Sequence, residues 1–174
     1  HEIAHAPFIR IEDLGRFSVL DAVAEVSPKL WYPNPATQAQ TALLGEDRVS
    51  RCHALRDYLN AIINVTYASD WPASAPDANP WTGLAGMLSR QDALGHFEGT
   101  VASDQAISLS QALPLFTING ARSLGMEYET GSLSVGKWAD FIVLTNDLTT
   151  QSWQEIGLTK VETTVWKGCI VYSN

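Results

Sequence analysis

The chain has only two cysteines among its 174 residues. Cys52 and Cys169 lie far apart, with neither the paired spacing of a zinc knuckle nor the density of a disulfide framework. That excludes both small-domain scaffolds and leaves the compartment, cytoplasmic or exported, open. Basic residues are also few: 11 Lys plus Arg stand against 19 Asp plus Glu, a formal net charge of −8, with no basic run. Such a surface repels a phosphate backbone, so nucleic acid is not an expected partner. No stretch approaches the roughly 20 apolar residues that a membrane span needs. Internal repeats and low-complexity tracts are absent. What remains is 45% hydrophobic and 17% charged, which reads as a soluble globular chain long enough for a substantial core. It opens on His1 with no initiator Met or signal-like segment, so a missing upstream part is expected.

Hydrophobic periodicity alternates along the chain. Ile11, Leu14, Phe17 and Leu20 fall at helical spacing, and Ala22-Val23-Ala24-Glu25-Val26-Ser27-Pro28 is a short apolar run stopped by proline, as in a buried parallel strand. Residues 34–45 read as a long loop. Val49, Cys52, Leu55, Leu59 and Ile62 predict one helix over 46–61, followed by a strand in Ile62-Ile63-Asn64-Val65-Thr66-Tyr67. The Pro-, Ala- and Asp-rich stretch 71–81 reads as an ordered loop, with helices over 81–90 and 109–124. Beyond residue 130 the pattern turns β-rich, with strands in Ala139-Asp140-Phe141-Ile142-Val143-Leu144 and Val161-Glu162-Thr163-Thr164-Val165-Trp166. A hairpin turn at Lys167-Gly168 leads into Ile170-Val171-Tyr172. Trp138 and Trp166, inside these runs, are expected in a core or interface. Alternating strands and helices predict an α/β fold with parallel strands, whose functional residues gather beyond the strands' carboxyl ends.

His1-Glu2-Ile3-Ala4-His5 fits H-E-x-x-H, the zincin pattern of two zinc-binding histidines and a general-base glutamate. That chemistry needs a rigid helix, whereas this segment begins at the chain end and meets Pro7 two residues after His5. As a strand, the same residues put His5 at the carboxyl end, where it is either a metal ligand or a hydrogen-bonded core histidine. Asp70 closes another predicted strand, in Ser69-Asp70-Trp71-Pro72. There it is either a ligand and proton acceptor or a loop carboxylate capping backbone N–H groups. Trp71 and Trp81 flank the following loop and are candidates for a substrate pocket or for ordinary packing. His53 is read into a helix and His96 into a loop, and neither is assigned to the site.

Ile3-Ala4-His5-Ala6 resembles the sixth-strand histidine motif of the amidohydrolase superfamily, and Ala68-Ser69-Asp70-Trp71-Pro72 resembles its eighth-strand aspartate motif. Thr117-Ile118-Asn119-Gly120-Ala121 and Gly131-Ser132-Leu133-Ser134-Val135-Gly136-Lys137-Trp138-Ala139-Asp140 are similar to its C-terminal signature. The resemblance covers nearly the whole chain and is nearest the subgroup of N-substituted formamide deformylases and exoenzyme regulatory proteins. One departure is Ala4, where that subgroup carries Glu.

The resemblance implies the C-terminal portion of a (β/α)8 TIM-type barrel, strands six to eight with following helices, over residues 1–130. Residues 131–174 would then be strands of a small β-sandwich. It implies His5 as a metal ligand and Asp70 as ligand and catalytic proton acceptor. The family's first-strand His-x-His pair, strand-four bridging residue and strand-five histidine would lie upstream of His1. The parent enzyme would hydrolyse a non-peptide, amide-type C–N bond of a small molecule with a divalent metal, zinc being expected. The chain alone would hold only part of the site, with that metal or none. The alternative is a non-catalytic or assembly module retaining the fold. Either way, three strands cannot close a barrel, so pairing with the missing N-terminal part of the polypeptide or homo-oligomerisation is expected.

Overall fold

Three short parallel strands, β1 (Glu2–Ile3), β2 (Val23–Val26) and β3 (Asn64–Tyr67), form a sheet in the order β1-β2-β3 in a computed structural model that describes residues 1–73, 75 and 77–174. The register pairs Glu2 with Val23 and Ala24 with Val65. Helices make each crossover: α1 (Leu14–Val19) between β1 and β2, and α2 (Pro35–Leu44), α3 (Glu46–Val49) and α4 (Leu55–Asn60) between β2 and β3. Parallel strands joined this way must run in one direction, so all three carboxyl ends emerge at the same edge.

The core condenses on β2 and β3. Ala24, Val26 and Val65 are fully buried and pack with Leu55, Tyr58, Leu84, Met87 and Leu115 from the covering helices. Each Val, Leu or Met side chain among them contributes about 1.5–3 kcal/mol on burial. The helix α5 (Pro80–Ser89) lies so near the turn after β2 that a Cβ on Gly86 would stand 2.7 Å from the Pro28 carbonyl oxygen. By contrast, β1 is an open edge, with Ile3 46% exposed. That edge offers unpaired backbone groups.

Residues 1–5 follow the strand reading: only Glu2–Ile3 is regular, and it is a strand, so the zincin geometry is absent. Several other expected elements are corrected. The loop expected over 34–45 is a ten-residue helix, α2, capped by Asn34, whose side-chain oxygen accepts from the N–H groups of Ala36 and Thr37. The single helix expected over 46–61 is broken into α3 and α4 by a turn at which His53 adopts φ 52°. The helix expected over 109–124 is also interrupted: α6 (Leu109–Ala112) and α7 (Ile118–Ser123) flank a 3-10 turn containing Pro114, whose ring cannot donate to a helical ladder.

The remaining strands, β4 (Phe141–Leu144), β5 (Val161–Trp166) and β6 (Cys169–Ser173), form an antiparallel sheet, with α8 (Trp153–Gly157) between β4 and β5. The Lys167–Gly168 hairpin turn occurs as expected, with φ 49° and 78°. Large side chains here stay uncovered: Trp166 is 57%, Ile170 69% and Tyr172 48% exposed. Trp166 is therefore not a core residue of this chain. It and half-buried Trp138 instead flank the Lys167 ammonium, which lies 3.7 Å from the Trp138 ring centroid.

Candidate functional site

The carboxyl ends of the three parallel strands each deliver one polar side chain to a common point. His5 follows β1, Ser27 follows β2 and Asp70 follows β3. His5 Nε2 lies 3.6 Å from Asp70 Oδ1, and His5 Nδ1 lies 3.1 Å from Ser27 Oγ. The backbone turns sharply to achieve this: His5 has φ 61° and Asp70 φ 57°, in the left-handed region that disfavours residues bearing a Cβ. Such conformations persist where surrounding contacts hold them, and they concentrate at functional sites. Here the Tyr58 hydroxyl donates to the Ala6 carbonyl at 2.7 Å, and the His53 N–H donates to the Pro7 carbonyl at 2.7 Å.

These residues face a cavity of about 270 Å³ that is also lined by Trp31, Asn34 and His53. Trp31 stacks on His53 with ring centroids 4.7 Å apart, and the Arg90 guanidinium carbon sits 4.5 Å from the Trp31 centroid. Arg90 is fully buried, and its three guanidinium nitrogens donate to the carbonyls of Val101, His53 and Cys52. Burial pushes its pKa down to about 10, which leaves it a cation at neutral pH. Burial and the Arg90 charge together push His53 down to about 3, against an opposing hydrogen bond with the His5 backbone. His53 is therefore neutral in the physiological range. The buried Lys29 ammonium donates to the Asp77 carboxylate and to its carbonyl, which anchors Asp77 in the stretch after Asp70 and holds its carboxyl below the usual range.

The chemistry of the donor set can be tested against a divalent cation. Ligands at about 2.0–2.2 Å from a shared ion stand about 3–3.5 Å apart, close to the 3.6 Å between His5 Nε2 and Asp70 Oδ1. The Nδ1 contact to Ser27 orients the imidazole and leaves Nε2 directed at Asp70, as outer partners do for metal-binding histidines. Two donors fit, yet among the described residues no group of three or more His, Cys, Asp and Glu side chains could hold a metal.

The structure thus brings His5 and Asp70 together. It does not bring Trp71 or Trp81 to their cavity: Trp71 is 56% exposed and Trp81 packs against the core. His53, left out of the site on sequence, lines it instead. No spacing rule could have found His53, because its position depends on a turn fixed by Arg90, 37 residues away.

Donors gathered at the carboxyl edge of a parallel sheet occupy the place where barrel folds carry their functional residues. The chain belongs to the amidohydrolase family, whose model matches residues 1–172. The protein LONG AFTER FAR-RED 3 of Arabidopsis thaliana is 30% identical over 154 residues, 88% of this chain and 25% of that protein. An N-substituted formamide deformylase of Arthrobacter pascens is 34% identical over 95 residues, 53% of this chain and 16% of that protein. Among solved structures, an adenosine deaminase from Xanthomonas campestris with bound zinc superposes with a TM-score of 0.70 at 15% identity, covering 99% of this chain and 37% of that one. At that identity the likeness is one of fold. The family's fold is a TIM-type barrel, and this chain spans a quarter or less of the two sequence relatives.

Proposed function

We propose that this chain is the C-terminal part of a metal-dependent amidohydrolase that cleaves a non-peptide, amide-type C–N bond of a small molecule. On this reading β1, β2 and β3 are strands six to eight of the barrel, residues 1–130 are its partial barrel, and residues 131–174 are strands of the small β-sandwich. The observation that carries the proposal is the His5–Asp70 pair, 3.6 Å apart beyond the ends of two parallel strands. The deformylase relative supports an amide-type bond, and the deaminase structure supports the wider C–N class and zinc as the metal.

His5 Nε2 and Asp70 would hold the cation together with donors from upstream of His1. When bound, a divalent metal polarises a carbonyl and acidifies water. Asp70, with its side chain 21% exposed, can reach a water in the cavity, accept its proton and return it to the departing nitrogen. A leaving amide nitrogen needs that proton because its free anion is far too basic to depart. Ser27 holds the His5 ring in register throughout.

Metal content by plasma mass spectrometry tests this without a guess at substrate. The full-length protein should carry near-stoichiometric zinc or another divalent metal, falling at least about ten-fold in a His5→Ala, Asp70→Ala double variant. Retention of metal by the double variant would sink the assignment. The 174-residue chain alone, with two donors, should bind far less tightly.

The open edge at β1 and the uncovered sheet β4–β6 support association with the upstream part of the polypeptide, or self-association when that part is absent. Light scattering of the isolated chain should give a mass above its 19.0 kDa. A strictly monomeric, well-dispersed species would contradict this.

A further inference from the structure

We propose that the ring of His53, backed by Trp31, is the specificity wall of the site and receives a neutral planar group of the substrate. The proposal rests on His5 and Asp70 being the hydrolytic pair, since His53 shares their cavity.

Position, rigidity and charge support it. His53 lines the cavity while stacked on Trp31 at 4.7 Å with the planes 24° apart, so a flat, fixed surface borders the space beside the pair. The surface cannot easily tilt, because Arg90 lies over Trp31 and binds the His53 carbonyl, and the His53 N–H is held by the Pro7 carbonyl. A pre-set wall selects by shape, with no ordering cost on binding. Among the described residues that line the cavity there is no Lys or Arg, and Asp70 is the one carboxylate. Arg90, which packs on Trp31, is committed to three carbonyls. With the cation removed, an anionic substituent meets the Asp70 carboxylate with no Lys or Arg among these lining residues to offset it, whereas a neutral ring gains stacking contact.

The test is equilibrium binding by calorimetry of benzamide and its anionic analogue 4-carbamoylbenzoate to the full-length protein, stripped of metal. Benzamide should bind at least about ten-fold more tightly than the anion. A His53→Leu substitution, which keeps volume and removes the flat ring, should weaken benzamide about five- to ten-fold, while His53→Phe should stay within about two-fold of wild type. Equal binding of the two ligands, or a Leu variant indistinguishable from Phe, would overturn the proposal. If the Leu variant does not fold, His53→Gln, which also removes the flat ring, takes its place with the same expected loss of benzamide binding. Metal content of the reloaded proteins separates the two readings. A His53 effect without any metal at His5 and Asp70 would remove the hydrolytic reading and leave the wall. Bound metal with no His53 effect would do the reverse.

Discussion

Asp70→Asn in the full-length protein should lower turnover of any accepted amide by about 10³-fold or more. Asparagine preserves the shape of the side chain and one oxygen that can still approach a cation. It cannot accept a proton near neutral pH, and it contributes no negative charge to the pair with His5. The loss should therefore fall mainly on kcat, with KM changed much less, because the group acts on the reacting atoms rather than on the substrate's remote contacts. Steady-state kinetics beside a metal assay checks this: retained turnover would remove Asp70 from the chemistry. Loss of both metal and turnover would make it chiefly a ligand.

Replacing Arg90 by Leu should destabilise the full-length protein by about 3–5 kcal/mol, a large share of the stability of an ordinary domain. The guanidinium is fully buried and satisfies the carbonyls of Val101, His53 and Cys52. Leucine fills much of the space and leaves those acceptors unpaired, at about 1–3 kcal/mol for each that water cannot reach. Arg90→Lys should recover only part of the loss, since an ammonium has no planar fork to serve three carbonyls and no flat face for Trp31. Denaturant unfolding measures both variants. A Leu variant within about 1 kcal/mol of wild type would mean that water replaces the lost donors.

The two effects differ in how visible their residues were beforehand. Asp70 stands out in sequence because an apolar β-prone run ends just before it and a proline follows, which places it at a strand's carboxyl end. His5 is similarly marked, and β2, β3, β5 and β6 follow directly from their apolar runs. The helix α2 escaped because none of its residues is buried, so it has no apolar face to generate a period. Its start was nevertheless written locally, in an Asn cap followed by Pro, and its end in Gly45 at φ 83°. The short helix α8 also escaped periodicity, while its capping box between Ser152 and Glu155 was legible. The break between α3 and α4 was not, since periodic Val49, Cys52 and Leu55 read smoothly across it.

By itself the sequence determined the order of the strands, the acidic surface, and the two strand-end residues with metal-ligand chemistry. These depend on composition and on contacts between near neighbours. Only the tertiary structure decided that His5, Ser27 and Asp70 meet at one edge, that His53 joins them, and that Trp71 and Trp81 do not. The reason is that parallel pairing across helical crossovers, and a buried guanidinium reaching 37 residues back along the chain, set positions that no local periodicity encodes.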